Sequence, residues 1–302
     1  MPRVSVIIAA YGLPDYLNEA VRSVCAQTYR DYEIIVIDDC SGDDIVKRYH
    51  LPEKARLICH EKRFGAAAAS RNTGISVARG DYVAFLDQDD LWLPEKLAIQ
   101  VKALEQLPDA GLAFCHYTAV DKSLEPLPRQ RRARKRVRHP LEQMIAGCFI
   151  RTPSTVLART GAVRECGMFD ESVVGTSDWD LYLRLARRYA FVAIPEPLVL
   201  YRMHAEQLHK NGAIMRSATL RVMDKTLEWV RGERPELRRR VERYYGRILR
   251  KTGSAQLRDE HNPALALATL RRARRMRPWD VRIHGLIARA TLGDHNHRTG
   301  GT

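Results

Sequence analysis

The chain has 302 residues, 45% of them apolar, with four tryptophans and a net charge of +14, enough for one large or two ordinary domains with a real core. Its longest early apolar run, Val4 to Ala10, falls far short of the ~20 residues a membrane helix requires and starts too near Met1 for a secretory leader, so a cytoplasmic chain is expected. Six cysteines without a CxxC pair or metal-ligand spacing point to reduced, structural thiols.

Val4-Ser5-Val6-Ile7-Ile8-Ala9-Ala10 is apolar on both faces, as suits a strand in a parallel sheet covered by helices. Leu17, Val21 and Val24 recur at helical spacing behind Pro14, predicting a helix over 14–28. A second strand, Glu33 to Ile37, ends in Asp38-Asp39-Cys40-Ser41-Gly42, and Arg56 to His60 is a short third strand. A small-residue helix follows from Gly65 to Ala78, then a fourth strand from Tyr82 to Leu86, closed by Asp87-Gln88-Asp89-Asp90. This alternation predicts an α/β fold with an open, mostly parallel sheet whose ligands sit at the carboxyl ends of its strands.

Pro94 to Leu107 carries Leu97, Val101 and Leu104 on one stripe, an amphipathic helix with Asp90 as its expected N-cap. Gly111 to His116 reads as a strand, and Asp178 to Tyr189 as a helix with Leu181, Leu185 and Ala186 facing inward. Between them, residues 129–139 hold seven Lys/Arg and no acid and are flanked by Pro128 and Pro140, the pattern of a long mobile loop. Beyond residue 213 every pattern is helical, over about 214–230, 235–251, 263–276 and 281–291, the last pair hinged at Arg277-Pro278-Trp279. The expected division is therefore 1–212 for an α/β domain and 213–302 for a basic helical subdomain. The basic loop carries +7 and the residues from Ala213 onward +12, which leaves the rest at −5. Such segregation suggests an anionic partner, nucleic acid or the cytoplasmic leaflet of a membrane, or else a merely solvated Arg-rich surface. Nucleic-acid binding would call for interleaved aromatics or a recognised module, and the sequence has neither.

The run at 87–90 puts three carboxylates where a buried strand reaches the surface. Mg²⁺ is usually held by one or two carboxylates plus substrate phosphates, so a divalent cation with its diphosphate fits there. A strand end followed by a helix cap is the other reading, because aspartates one residue apart arise by chance roughly once in a chain of this length. Asp38/Asp39, Asp87/Asp89 and Asp178 all fall at strand or helix edges on one side of one sheet, and that convergence favours a site.

The successive segments VSVIIAAYG, YLNEAVRSVCAQTYRDYEIIVIDDCSGDD, GAAAASRNTGISVARGDYVAFLDQDDLW, GTSDWDLYLRLA and YRMH, spanning residues 4 to about 205, resemble the signatures of family 2 glycosyltransferases. The resemblance implies the GT-A fold, a nucleotide-sugar donor (a UDP-sugar above all), a divalent metal (Mn²⁺ or Mg²⁺) and inversion at the anomeric carbon. It further implies transfer to a hydroxyl of a saccharide, lipid-linked or other acceptor, in cell-surface polysaccharide or glycoconjugate synthesis. Under that reading the basic loop and tail are expected either to dock the enzyme at the inner face of the membrane, on anionic lipid, or to hold an anionic, lipid-linked acceptor.

On the matching positions, Ala10 and Tyr11 resemble the first-strand edge that contacts the nucleotide. Asp39 resembles the carboxylate that accepts a hydrogen bond from the base, although a turn acid is the alternative there. Arg71 resembles a donor-site arginine whose fork suits diphosphate oxygens. Asp87, Gln88 and Asp89 match the DxD motif, with Asp89 the metal ligand and Asp87 facing the donor. Asp178 matches the general base, with Ser177 where Glu is more usual and Asp180 as the competing candidate. Trp179 is either a sugar platform or a core residue. His204 matches a histidine near the metal or diphosphate, or is a structural histidine. Residues 205–212, including His209, resemble a lid, while Pro153-Ser154-Thr155 and Met168-Phe169-Asp170 resemble an acceptor-side framework. The rival enzyme, a sugar-1-phosphate nucleotidyltransferase, usually opens with a Gly-rich turn followed by Arg and Lys. Here the first turn is Ala10-Tyr11-Gly12-Leu13-Pro14-Asp15.

Overall fold

The computed structural model describes residues 2–128, 137–204 and 211–299, with side chains to Leu292. The residues divide into two compact units, one of Met1–Met144 and Cys148–Asn211, the other of Ile145–Gly147 and Gly212–Thr302. The expected lid at 205–210, with His209, and most of the basic loop, residues 129–136, lie outside the described residues.

The first unit is built on an eight-stranded sheet in the order β3-β2-β1-β4-β7-β6-β8-β5. Its first half is parallel. β1 (Val4–Ala10) lies between β2 (Tyr32–Asp38) and β4 (Tyr82–Asp87), and β3 (Ala55–Cys59) is the edge. Every residue of β2 is buried and all but Ala9 of β1, because helices cover both faces. The register aligns Ala10 with Asp38 and Ala9 with Asp87, so both acidic turns leave the sheet at one level. α1 (Pro14–Cys25) starts with proline at a position whose N–H has no helical partner, and it buries Leu17, Val21 and Val24, worth about 1.5–3 kcal/mol for each large side chain removed from water. A four-residue helix, α2 (Asp43–Val46), precedes β3, and α3 (Ala67–Val77) follows it. Small residues let α3 lie close on β1: a Cβ on Gly74 would collide with the Ile7 side chain.

The second half of the sheet mixes strand directions within the expected mostly parallel order. β7 (Val156–Arg159) joins β4 and β6 (Ala110–Val120) antiparallel, β8 (Ala190–Arg202) runs parallel to β6, and β5 (Leu91–Trp92) pairs antiparallel with β8. The sequence pattern predicts neither β7 nor β8. β7 is only four residues long, and β8 contains Pro195 and Pro197, which normally demote a strand. β8 absorbs them in a bulge where the register with Cys115 and His116 jumps from Ile194 to Pro197. Because Leu91–Trp92 is a strand, α4 begins only at Lys96 and runs to Glu105. Asp90 therefore does not cap a helix; it is fully buried under β8. The remaining helices of this unit are α5 (Pro140–Ile145), whose last residue falls with the second unit, α6 (Thr160–Glu165) and α7 (Ser177–Ala186).

The second unit contains α8 (Gly212–Glu233), α9 (Arg238–Arg258), α10 (Pro263–Met276) and α11 (Val281–Thr299). The Asn262 side chain caps α10 by accepting from Leu265 N at 3.0 Å, with Pro263 in the first turn, a combination that satisfies one orphan donor and removes another. Val241, Tyr245, Leu249, Leu270 and Ile283 are fully buried. A Cβ on Gly253 would stand 2.6 Å from Leu270 Cγ, so glycine there permits the close approach of α9 and α10. Among the described residues, no helix is long and apolar enough to cross a membrane.

Candidate active site

The carboxyl ends of β1 and β4, the start of α3, the loop before β7 and the start of α7 enclose a cleft of about 580 Å³. Its wall includes Tyr11, Arg71, Asp87, Gln88, Asp89, Asp178 and His204. Ala10 and Asp39 of the expected set are not in that wall.

The β1 turn and the β4 turn are locked together. Tyr11 N donates to Gln88 Oε1 at 2.8 Å while Gln88 Nε2 donates to Tyr11 O at 2.9 Å. Gly12, at φ +65°, takes the left-handed conformation that glycine adopts without a Cβ penalty, and its N–H donates to Ser41 Oγ. The Tyr11 ring is exposed beside the Arg63 guanidinium, 3.9 Å from the ring centroid, a cation–π arrangement.

Asp38 and Asp39 organise this rim from behind. Asp38 accepts from Ser41 N, Ser41 Oγ and Tyr49 Oη. Asp39 accepts from Phe64 N at 3.0 Å and Gly65 N at 2.8 Å, and pairs with His60 Nδ1 at 3.1 Å. Burial pushes the Asp39 carboxyl up, but these donors hold it below the usual carboxylate range. His60 Nε2 reaches Thr73 Oγ1, so the Asp39–His60–Thr73 chain ties the second strand's turn to α3. Ala10 takes part through its carbonyl, which accepts from Asp39 N.

Asp87 and Arg71 form the central ion pair, 2.5 Å apart. The Arg71 guanidinium is buried: desolvation opposes its charge, yet Asp87 raises its affinity for the proton on balance. Phe169 packs 5.4 Å below the guanidinium and edge-to-face on Phe85. Asn72 exchanges hydrogen bonds with the Phe169 backbone, so the Met168–Asp170 segment fixes α3 from behind and is not in the cleft wall. Thr152 Oγ1 lies within hydrogen-bond reach of Asp87 Oδ2 and Asp90 Oδ2, both at 3.2 Å, and Asp87 N donates to Ser154 Oγ. Thr152 and Pro153 line the cleft, whereas Ser154 is fully buried.

Asp89 Oδ2 stands 2.8 Å from His204 Nε2. Two residues before the histidine, Arg202 donates through Nε to Asp89 O at 3.0 Å and through its backbone N–H to Asp90 Oδ1 at 3.1 Å, while its Nη2 pairs with Glu19. Burial, then Asp89 and Asp87, push the Asp90 carboxyl far above its usual range. Oxygen and imidazole donors side by side are a ligand set for a divalent cation. Among the described residues no three acid, histidine or cysteine side chains converge to form a complete metal cage.

Asp178 is half-buried in the first turn of α7 and accepts from Trp179 N at 2.8 Å. Burial raises its pKa, the Arg71 charge and the Trp179 N–H oppose the rise, and Asp87 reinforces it. Asp180, by contrast, is buried and paired with Arg184 at 2.7 Å, so its carboxylate is engaged away from the cleft. Trp179 is a core residue whose Nε1 donates to Met144 O. Ser177 lines the cleft as a buried neighbour of Asp178. The sequence pattern assigns no role to Arg63, Arg151 and Thr152, which line the cleft, or to His60 and Arg202, which brace its acidic turns. Arg202 stands within the YRMH segment, whereas His60 and Thr152 carry no local pattern that marks them.

The family model described as Glycosyl transferase family 2 matches residues 5–171. An uncharacterized glycosyltransferase of Rickettsia prowazekii is 31% identical over 215 residues, covering 68% of this chain and 65% of that protein, so the match spans about two-thirds of the relative's length. The amylovoran biosynthesis glycosyltransferase AmsB of Erwinia amylovora is 30% identical over 78% of this chain and 79% of its own. TarS 1-349 of S. aureus, solved in complex with UDP-GlcNAc, superposes with a TM-score of 0.74 at 18% identity, covering 99% of this chain and 92% of that one. The topology is that of the GT-A fold, and the chain belongs to glycosyl transferase family 2.

Proposed function

We propose that the chain is an inverting, metal-dependent glycosyltransferase that moves a sugar from a UDP-sugar to a hydroxyl of a saccharide or lipid-linked acceptor in polysaccharide synthesis. The observation that carries this reading is the meeting of Arg71–Asp87, Asp89–His204 and Asp178 around one cleft. The UDP-GlcNAc complex of TarS and the biosynthetic role in the name of AmsB support the donor and pathway class.

In this reading Tyr11 and the rim held by Asp39 receive the nucleoside, and Arg71 and Arg63 face the diphosphate. Asp89, with His204 beside it and Asp87 next along the turn, fits a Mn²⁺ or Mg²⁺ ion, which such sites bind through one or two carboxylates plus phosphate oxygens. Held there, such an ion would supply Lewis-acid neutralisation of the departing diphosphate. Asp178 takes the proton of the acceptor hydroxyl as its oxygen bonds to C1. The C1–O bond to the diphosphate breaks, and its electron pair leaves with the nucleoside diphosphate. One displacement from the opposite face inverts the centre. A carboxylate raised by burial is a better base than an exposed one, since catalytic pKa values serve best near the operating pH.

The nucleotidyltransferase alternative lacks the Gly-rich first turn and meets instead the Tyr11–Gln88 lock. A panel of nucleotide sugars, assayed for nucleoside diphosphate release with Mn²⁺ or Mg²⁺, tests the proposal. Release from at least one UDP-sugar, abolished by chelation, is expected. Pyrophosphate consumption with nucleotide-sugar breakdown to a nucleoside triphosphate would establish the rival instead.

A further inference from the structure

The helical unit carries a surface that contributes no residue to the wall of the cleft. From Pro263 to Leu292 the chain holds seven arginines and a single acid, Asp280. That acid is buried in the turn between α10 and α11, where it accepts from the backbone N–H and Nε of Arg282 and pairs with Arg277 at 3.4 Å. Ile283 N donates to Asp280 O, and His284 Nε2 lies 2.7 Å from Pro278 O. The turn is therefore pinned at several points, and it holds Trp279 70% exposed and Val281 78% exposed.

The exposed apolar surface continues along α11. Val281, Gly285, Ala288 and Leu292 are all exposed, Leu292 at 68%, and their spacing of i, i+4, i+7 and i+11 puts them on one helix face. The opposite face buries Ile283 and Ala290. Exposed Arg282 and Arg289 flank the stripe, and exposed Arg274 and Arg275 stand in the last turn of α10, with exposed Arg271 a turn before them. Among the described residues, Arg271, Arg274, Arg275 and Arg289 have no acidic partner. Basic residues at a helix C-terminus complement its dipole, which accounts for Arg274 and Arg275 but not for the tryptophan or for the apolar face beside them.

We propose that the α10–α11 turn and the outer face of α11 dock on an anionic lipid bilayer, with Trp279, Val281 and Leu292 entering the interface and the arginines facing headgroup phosphates. Tryptophan prefers the membrane–water boundary, and a helix with an apolar stripe edged by arginine lies in the interface plane. The charge complementarity commits the surface to lipid: a second copy meeting this face through a two-fold axis would set the same arginines against one another with no exposed acid in the segment to answer them. A shallow insertion of this kind needs no membrane-spanning helix.

Co-sedimentation of the full chain with phosphatidylcholine vesicles, with and without 30% phosphatidylglycerol, tests this with no sugar donor present. The wild-type chain should sediment with the anionic vesicles only. Trp279→Ser combined with Val281→Ser, and separately Arg274→Gln combined with Arg275→Gln, should each lower the bound fraction at least fivefold with unchanged circular dichroism. Since all four positions are exposed, the fold should tolerate both changes. Equal binding of the variants, absence of wild-type binding, or a lipid-free dimer that becomes monomeric in the Trp279→Ser, Val281→Ser variant would each overturn the proposal, the last in favour of a second copy.

Discussion

At Asp87 the needs of fold and site coincide. Its carboxylate neutralises buried Arg71 on one oxygen and accepts from Thr152 on the other, and the guanidinium would otherwise be a stranded buried charge. Asp178 is raised by burial against the opposing Arg71 charge, and in its proposed role as base it must be deprotonated to act. Activity is therefore expected to rise with pH through the Asp178 pKa, with the acid limb of the kcat/KM profile above the ordinary Asp value of about 3.9. A stopped assay across pH 4–8 measures it. Asp90 shows what a local pattern hides. The DxDD run leaves the third acid looking like a helix cap, because nothing nearby announces that Arg202, 112 residues away, will bond to it. Its raised pKa favours the neutral form, so Asp90→Asn should change stability by under about 1 kcal/mol, while Asp90→Ala should cost about 2 kcal/mol by orphaning the Arg202 N–H and disturbing Thr152. Denaturant unfolding separates the two.

At the scale of elements, the acidic strand ends are legible in the sequence because an apolar run followed at once by carboxylates marks the point where a buried strand meets solvent. The elements that carry the far side of the sheet are not, since the prolines of β8 mask its strand pattern and β7 is held by pairing partners remote in sequence. The apolar stripe places the start of α4 two residues too early for the same reason: Leu93 N bonds to Leu198 O on β8, a partner no local window contains. The helix also buries Lys96, whose Nζ donates to Gln100 Oε1 at 2.6 Å and lies 3.9 Å above the Trp92 ring. Desolvation lowers its pKa to about 8. The unfolded chain thus binds the proton more tightly than the folded one, so the lysine penalises folding below pH 8 and stability rises between about pH 8 and 10.5. Lys96→Met should accordingly stabilise the protein by about 2 kcal/mol at pH 7, after allowing for the lost Gln100 bond, and flatten that alkaline rise. Thermal unfolding at pH 7 and pH 9.5 checks both.

At the scale of the whole molecule, the cleft residues come from separate stretches of chain, from Tyr11 to His204, and the matched family region ends at residue 171. Asp178 and His204 thus lie beyond it, on elements that bring them to the same cleft. Their residue types are readable from short segments, whereas the scaffold under them, Thr152, Phe169 and Arg202, emerges only from tertiary contacts. The positive charge concentrated beyond residue 213 is equally plain in the sequence, but the pinned, exposed Trp279 within it is not. The central claim is that Asp178 removes the acceptor's proton in a cleft where Asp89 anchors the donor diphosphate. Its most direct test is parallel measurement of sugar transfer and Mn²⁺-dependent UDP binding for Asp178→Asn and Asp89→Ala. The account predicts that Asp178→Asn binds UDP as the wild type does yet transfers about 10³-fold more slowly, while Asp89→Ala loses metal-dependent binding as well. Wild-type turnover by Asp178→Asn would contradict it.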